Sequence, residues 1–236
     1  MTTEPRLVEV RRNVLKQNDI VARTLRQRFH DDGVFTTSVV SSPGSGKTAL
    51  FEQTLTRLGA RFRVAALVGD LATENDAARL ARSRAPVKQI LTNTMCHLEA
   101  AMIQRALGDW NLADLDFLFI ENVGNLVCPS SYDLGEQLRL VLIAVTEGED
   151  KPLKYPTIFN TADVAVVTKM DLAAVAEFDR ELLVRNVHAV RPEMPILFVS
   201  SKTGAGMDEY LSCLESRRDS FYDVEAAGAR RRPHHA

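Results

Sequence analysis

Two periodicities of apolar residues alternate along this chain. At the N-terminus, apolar residues recur at roughly three- and four-residue spacing, which predicts an amphipathic helix over residues 1–30. These residues are Leu7, Val10, Val14, Ile20, Val21 and Leu25. Farther along, short runs of β-branched and other apolar residues, bounded by turn residues, predict buried strands. The runs are VFTTSVV, FRVAALVGD, VKQILT, LDFLFIENVG, LRLVLIAVT, DVAVVTK and PILFVSS.

Helical segments separate the first of these strands. They are predicted from Thr48 to about Leu58, over ENDAARLARSR, and from Cys96 to about Leu107. Strands that alternate with helices of this length indicate βαβ units, and therefore an α/β fold with a mostly parallel sheet and helices on both faces. In such folds, ligands bind at the carboxyl ends of the strands. The polar residues that follow each strand are thus the candidates for function.

The segment SVVSSPGSGKTALFE places a glycine-rich turn between a predicted strand and a predicted helix, which is the context of a P-loop. Gly44 and Gly46 let the backbone approach phosphates closely, and the N–H groups of the turn and of the helix N-terminus then face the anion. Lys47 supplies a positive charge for the β- and γ-phosphates, and the Thr48 hydroxyl is suited to ligate Mg²⁺. The full motif has glycine where Ser41 stands, so this departure tests whether the loop closes. The fold prediction becomes a P-loop NTPase.

Two carboxylates stand at the ends of predicted strands, Asp70 in LVGD and Glu121 in FLFIE. Either is suited to hold Mg²⁺, directly or through water. Gly124, just beyond, is placed to offer its N–H to a γ-phosphate. Asp76 is another candidate for positioning the attacking water. The alternative interpretation is that Asp76 is simply an acidic residue at a helix N-terminus. The predicted magnesium ligands are Thr48, Asp70 and Glu121, and the predicted catalytic residues are Lys47, Thr48, Asp70 and Gly124.

The segment VAVVTKMDL ends a predicted strand with an N/T-K-x-D element, which indicates guanine recognition. An ionised Asp171 accepts hydrogen bonds from N1–H and the 2-amino group of guanine, whereas adenine offers neither donor on that edge. Lys169 is expected to lie along the purine plane. Thr168 stands where asparagine is common, and we expect it to weaken one loop hydrogen bond. A later S-x-K loop in FVSSKTG is expected to support the base. The predicted nucleotide-binding residues are Gly44, Ser45, Gly46, Lys47, Thr48, Ala49, Lys169, Asp171, Ser201 and Lys202.

Composition and net charge limit the classes of binding partner and the cellular compartment that the sequence predicts. The chain has 236 residues with a formal net charge of −2, so it carries no basic field that would favour nucleic acid. No stretch is long or apolar enough to predict a membrane span or a signal core. Three cysteines are too few for a disulfide framework, and they predict reduced thiols in the cytoplasm. The domain prediction is a GTPase domain over residues 31–218 and a disordered tail over 219–236, whose His234 and His235 are too few to predict a metal site.

Several segments together resemble the hydrogenase-maturation GTPases of the HypB family, from about Val34 to Leu214. They are SSPGSGKT, CHLEA, LFIENVGNLVCPSSYDLGE, VTEGEDKPLKYP, ADVAVVTKMDL and VSSKTGAG. The combination of ENVGNLVCP with EGEDKPLKYP separates this family from the related urease GTPases of the UreG family. The resemblance implies a GTP-dependent metallochaperone that helps deliver nickel to [NiFe]-hydrogenase. It also implies a nucleotide-linked homodimer with metal between the subunits, and the hydrogenase large subunit and other maturation proteins as partners.

Two thiols and an imidazole are the candidate soft-metal ligands. Cys96 and His97 are adjacent, and Cys128 lies four residues after Gly124, so loops at the edge of one sheet could bring them together. Sulfur and nitrogen ligands suit Ni²⁺ or Zn²⁺, and the sequence does not choose between them. A nearby helix N-terminus is expected to lower the pKa of the Cys96 thiol. Each cysteine alone is more often a core thiol, an interpretation we accept for Cys213; for the other two, the family resemblance favours metal.

Hydrolysis is expected to be slow, because neither an arginine finger nor a glutamine beside Gly124 is evident. This sequence shows neither the cysteine-rich N-terminal motif nor the long histidine tract found in some family members, so a single soft-metal site in the GTPase domain is expected. Three alternatives stay open. They are an ATP-dependent small-molecule kinase on the same fold, a GTPase chaperone for a cobalamin enzyme, and a UreG-like GTPase that delivers nickel to urease.

Overall fold

Seven parallel strands form the centre of the molecule. The computed structural model describes the backbone of residues 6–70, 75–92, 95–108 and 110–229, and the side chains of 13–69, 77–92, 95–108 and 110–223. The strands are β1 (Phe35–Ser41), β2 (Val64–Asp70), β3 (Val87–Leu91), β4 (Phe117–Glu121), β5 (Leu138–Ala144), β6 (Val164–Thr168) and β7 (Ile196–Phe198). They pair in the order β3-β2-β4-β1-β5-β6-β7, and every pairing is parallel. The predicted α/β fold is confirmed.

The sheet is covered on both faces because successive strand residues point to opposite sides. The helices are α1 (Arg6–Asp31), α2 (Lys47–Leu58), α3 (Asn75–Leu80), α4 (Ala100–Ala106), α5 (Lys151–Lys154), α6 (Pro156–Thr161), α7 (Arg180–Val190) and α8 (Met207–Ala229). Val39 packs in the core beneath α2, α3 and α8, whereas its neighbour Val40 packs in the core beneath α6 and α7. Within the described part of the chain, no helix combines the length and apolarity that crossing a membrane requires.

The predicted N-terminal helix is present as α1, and it packs into the core on one face of the sheet. Ala22, Leu25 and Phe29 are fully or almost fully buried, and they share one apolar cluster with α4 and the inner faces of β2 and β4. Helix α1 therefore covers part of one face of the sheet.

Strand β1 lies at the centre of the sheet, at the point where the strand order reverses. Strands β2, β3 and β4 lie on one side of β1, and β5, β6 and β7 lie on the other. In parallel α/β sheets, the crevice outside the carboxyl end of such a strand is where ligands bind. The segment after Ser41 occupies that crevice.

Two boundaries differ from the sequence prediction. Helix α4 begins at Ala100 rather than Cys96, because Glu99 is extended (φ −116°, ψ 153°) and buried Leu98 gives its N–H to a side chain of another loop. Helix α8 continues to Ala229, so the tail predicted from residue 219 is helical over its first part. Phe221 explains this continuation, because its ring packs edge-on against Phe35 with 6.0 Å between the centroids. His234 and His235 lie outside the described residues.

Candidate nucleotide and metal sites

The glycine-rich turn joins β1 to α2 in a closed loop. Gly44 and Gly46 have φ values of 75° and 90°, in the left-handed region that favours glycine. Helix α2 begins directly afterwards at Lys47, so the free N–H groups of its first turn point toward the crevice. An anion at this place would meet both the turn and the positive end of the helix.

Ser41 takes part in closing this loop. The Lys47 ammonium donates a hydrogen bond to Ser41 Oγ at 2.9 Å and lies 3.4 Å from the Ser42 carbonyl oxygen. The Ser41 hydroxyl in turn donates to that carbonyl at 2.7 Å. Since Ser41 ends β1 in an ordinary extended conformation, a side chain is tolerated there. The loop closes with serine in place of the usual glycine.

Two predicted magnesium ligands meet beside the loop. The Thr48 hydroxyl donates to Glu121 Oε1 at 2.9 Å, and Glu121 is 2% exposed at the end of β4. Asp70 ends the neighbouring strand β2, two residues beyond Val68, which is the register partner of Glu121. The Asp70 and Asp76 side chains lie outside the described residues. The structure thus brings Thr48 and Glu121 together and places the backbone of Asp70 at the adjacent strand end.

A cavity of about 540 Å³ opens over these residues. Its lining includes Gly44, Gly46, Lys47, Thr48, Ala49, Glu121, Gly124 and Lys169. Gly124 packs against the P-loop so closely that a Cβ at this position would lie 3.0 Å from Pro43 Cα. Any side chain there would push the two loops apart. The close contact explains why glycine follows the strand end at this point.

The TKMD segment lies next to the P-loop. The Thr168 hydroxyl donates to the Ser45 carbonyl at 2.6 Å, and Thr168 is 2% exposed. Threonine therefore makes the link to the P-loop directly through its hydroxyl, and the expected weakening relative to asparagine stays a prediction. Lys169 follows with φ 59°, a left-handed turn that leads into a 3₁₀ turn over Met170–Leu172.

A serine that the sequence analysis passed over holds Asp171. The buried Ser200 hydroxyl donates to Asp171 Oδ1 at 2.6 Å and accepts the Thr203 N–H at 3.2 Å. Ser201 and Lys202 lie in the turn that this serine begins, which the Gly204 N–H closes onto the Ser200 carbonyl at 2.8 Å. The two consecutive serines after β7 carried the signal, and burial decides that the first one points inward.

The three soft-ligand candidates form one cluster. Cys96 Sγ, one ring nitrogen of His97 and Cys128 Sγ all lie within 4.8 Å of one another. The two sulfur atoms are 2.8 Å apart, and Cys96 Sγ is 3.9 Å from His97 Nδ1. Both cysteines are free thiols, and all three side chains are half-buried. Two sulfurs and an imidazole nitrogen fit Ni²⁺ or Zn²⁺ rather than Mg²⁺.

His97 is packed on two sides. The Tyr132 ring lies across it at a centroid distance of 3.9 Å and an angle of 32°, and Glu99 Oε1 is 3.6 Å from Nε2. Burial lowers the pKa of the His97 imidazole, which the nearby Glu99 carboxylate partly offsets. A lowered pKa keeps the ring neutral, the form that binds metals. With Nε2 toward Glu99, Nδ1 is the nitrogen that faces Cys96, an arrangement typical of carboxylate-supported histidine ligands.

The pKa of the Cys96 thiol is raised, first by its hydrogen bond with Cys128 and then by burial. This contradicts the expected lowering by a helix N-terminus, because α4 begins only at Ala100. When two thiols are in contact, deprotonation of both would place two negative charges side by side, which is unfavourable. A bound cation offsets this repulsion. The donor set is thus suited to hold a divalent metal as a dithiolate.

Asn122 connects the nucleotide and metal sites. Its Oδ1 accepts N–H groups from Leu98 at 3.0 Å and Val123 at 2.9 Å, and the residue is 1% exposed. Asn125, on the same loop, lies with Nδ2 3.4 Å from the Cys96 carbonyl. The segment from Asn122 to Cys128 therefore contacts both the P-loop, through Gly124, and the backbone around His97. Neither asparagine stands in a sequence pattern that indicates this role.

Comparison with known proteins gives a consistent result. The family model of the CobW/HypB/UreG nucleotide-binding domain matches residues 35–198. The hydrogenase maturation factor HypB of Azotobacter chroococcum mcd 1 is 42% identical over 216 residues, covering 92% of this chain and 71% of that protein. The hydrogenase/urease maturation factor HypB of Helicobacter pylori (strain ATCC 700392 / 26695) is 39% identical over 224 residues, covering 93% and 92%.

The comparison with solved structures gives the same family as the comparison of sequences. The crystal structure of HypB from Helicobacter pylori in complex with nickel matches with a TM-score of 0.82 at 40% identity. The match covers 87% of this chain and 97% of that one. The fold, the closed P-loop and these similarities lead to one conclusion: the chain belongs to the HypB family of hydrogenase maturation factors, P-loop nucleotide-binding proteins of the CobW/HypB/UreG group.

Proposed function

We propose that this protein is a GTP-hydrolysing metallochaperone that binds nickel or zinc and assists nickel insertion into [NiFe]-hydrogenase. The observation that carries the proposal is the meeting of Cys96, His97 and Cys128, with the last of them on the loop that follows Glu121 and Gly124. The cytoplasm is the proposed location, and the hydrogenase large subunit and other maturation proteins are the proposed partners.

Guanine selection is assigned to Asp171. Its Oδ1 accepts the Ser200 hydroxyl, which fixes the carboxylate in one orientation. A fixed carboxylate is suited to accept both guanine donors, and adenine would leave it unpaired. Lys169, which lines the same cavity as Lys47, is suited to cover the purine plane.

Hydrolysis is assigned to the residues around the P-loop. Lys47 and the loop N–H groups hold and neutralise the phosphates, and the Gly124 N–H is placed for the γ-phosphate. Thr48 and Glu121, with Asp70 at the next strand end, would hold Mg²⁺, which supplies charge neutralisation to the β- and γ-phosphates. Arg79 also lines the cavity, but its Nε donates to Glu52 Oε2 at 2.7 Å, so a neighbouring carboxylate holds it. With no arginine assigned to the γ-phosphate, turnover is expected to be slow.

The metal is proposed to bind at the Cys96, His97 and Cys128 cluster and to join two copies of the chain. Three protein ligands leave a coordination position open. A two-fold related copy is suited to complete the shell, because such an interface places the same residues of both subunits together. The metal is cargo in this scheme, held as a dithiolate complex and later passed on.

Nucleotide state and metal affinity are proposed to be coupled. If Gly124 moves toward a γ-phosphate, Cys128 moves with it and Asn122 transmits the shift to Leu98, beside His97. By linkage, metal then changes nucleotide affinity by the same factor. The test is a Ni²⁺ and Zn²⁺ titration with GDP and with a non-hydrolysable GTP analogue, read together with molecular mass. Equal affinities and equal mass in both nucleotide states would refute the switch.

Nickel delivery to urease is the second candidate, because the Helicobacter pylori relative is a hydrogenase/urease maturation factor. Activation of purified apo-hydrogenase and apo-urease by the metal-loaded protein separates the two targets. GTP against ATP competition excludes a small-molecule kinase. A stoichiometric metal assay excludes a chaperone of a cobalamin enzyme that holds no metal of its own.

A further inference from the structure

A buried asparagine on α1 bridges two segments that are far apart in the chain. Asn18 is 6% exposed. Its Oδ1 accepts the Ala100 N–H at 2.9 Å, and its Nδ2 donates to the Asp133 carbonyl at 2.8 Å. Both polar groups of the amide are satisfied, by segments 82 and 115 residues away. A buried amide with both groups paired holds its partners at a defined separation.

Both partners stand next to the proposed metal site. Ala100 is the first residue of α4, three positions after His97. Asp133 directly follows Tyr132, whose ring packs on His97 with 3.9 Å between centroids. One bond of Asn18 therefore fixes the chain that carries the imidazole, and the other fixes the chain that carries the ring packed against it.

We infer that Asn18 is a positioning residue of the metal site, acting through His97. Its two hydrogen bonds keep the His97 and Tyr132 rings packed against each other, so that Nδ1 stays directed at Cys96. The inference rests on the proposed metal function of these three residues. Residues that orient a metal ligand typically change metal affinity about 10- to 100-fold when removed.

The chain offers a matched control on the same helix. Arg26 forms an ion pair with Asp133 Oδ1 at 2.6 Å, with the two side chains 39% and 35% exposed. It touches the Tyr132 segment but makes no hydrogen bond or ion pair to α4 in the described structure. Because the pair is partly solvated, Arg26→Ala should have a small effect.

The experiment titrates Ni²⁺ into metal-free wild type, Asn18→Ala and Arg26→Ala, and records the thiolate-to-nickel absorption. We expect Asn18→Ala to weaken Ni²⁺ about tenfold and to shift the absorption toward that of His97→Ala. GDP affinity should stay at the wild-type value, which shows that the variant folds. Wild-type Ni²⁺ affinity and absorption in Asn18→Ala would overturn the inference.

A double-mutant cycle separates positioning from general stability. In the His97→Ala background, Asn18→Ala should have no further effect on Ni²⁺ affinity, since the residue acts through that ring. An undiminished effect there would overturn the inference. Asn18→Asp keeps the volume and the acceptor for Ala100 but loses the donor to Asp133, so it should also weaken Ni²⁺, with GDP affinity again checking the fold. Unchanged Ni²⁺ affinity in Cys128→Ala would instead count against the proposed metal function itself.

Discussion

The P-loop and the cysteine–histidine cluster are organised in different ways. The P-loop is one continuous segment, and its closure depends on neighbours in the chain, such as the bond between Lys47 and Ser41. The cluster joins Cys96 to Cys128, 32 positions apart, and its supports come from α1 and from the end of β4. A local site depends on backbone geometry, whereas an assembled site depends on the packing of several elements.

The comparison has a functional consequence. Because the supports of the cluster lie on other elements, a shift in a neighbouring loop alters its geometry. The nearest such loop is the one from Asn122 to Cys128, which also packs on the P-loop at Pro43. An assembled site beside a rigid one is thus well placed to respond to the nucleotide.

The largest expected effect falls on the local site. Lys47→Ala removes the positive charge that faces the phosphates, so GTP hydrolysis should fall by about 10²- to 10³-fold or more while the protein stays folded. Phosphate release measures the loss, and circular dichroism checks the fold. A folded Lys47→Ala protein with wild-type turnover would exclude the proposed role.

The second largest effect is expected on the preference for guanine over other bases. Asp171→Asn replaces an acceptor oxygen with a donor amide, so GTP affinity should fall by about 10²-fold or more and xanthosine triphosphate should bind better. Competition binding of GTP, ATP and xanthosine triphosphate measures the preference. Unchanged GTP preference in this variant would show that another residue reads the base.

Substitutions in the cysteine–histidine cluster should weaken metal binding without weakening nucleotide binding. Cys96→Ala, His97→Ala and Cys128→Ala should each weaken metal binding at least about tenfold, with nucleotide affinity nearly intact in metal-free protein. Cys213→Ala is the matched control, because that thiol is partly buried in the core on α8. Equal metal affinity in the cluster variants and in the Cys213→Ala control would make Cys96 and Cys128 structural thiols.

The smallest expected effect concerns communication between the two sites. Asn122→Ala removes the acceptor for the Leu98 N–H, so the ratio of metal affinities in the GDP and GTP-analogue states should move toward one. Couplings of this kind are about 1–3 kcal/mol, which titration resolves. A ratio equal to that of wild type would mean that Cys128 alone carries the coupling.

Sequence reasoning alone determined the parts of this protein that depend on near neighbours in the chain. The apolar runs predicted all seven strands, because a buried parallel strand needs a continuous apolar segment. The glycines and Lys47 indicated a phosphate loop, because the left-handed turns at Gly44 and Gly46 are local requirements. The TKMD element predicted guanine recognition by Asp171, and that role stays a prediction.

Only the tertiary structure decided how distant segments meet. It placed the start of α4 at Ala100, because Leu98 and Ala100 give their N–H groups to asparagines 24 and 82 positions away. It chose Ser200 over Ser201 as the partner of Asp171, a bond across 29 positions. It also brought Asn18 into contact with Ala100 and Asp133, which lie near His97 and Tyr132 in the chain. Asparagine and serine side chains carry no periodic signal that reveals their partners, so packing alone determines which groups they reach.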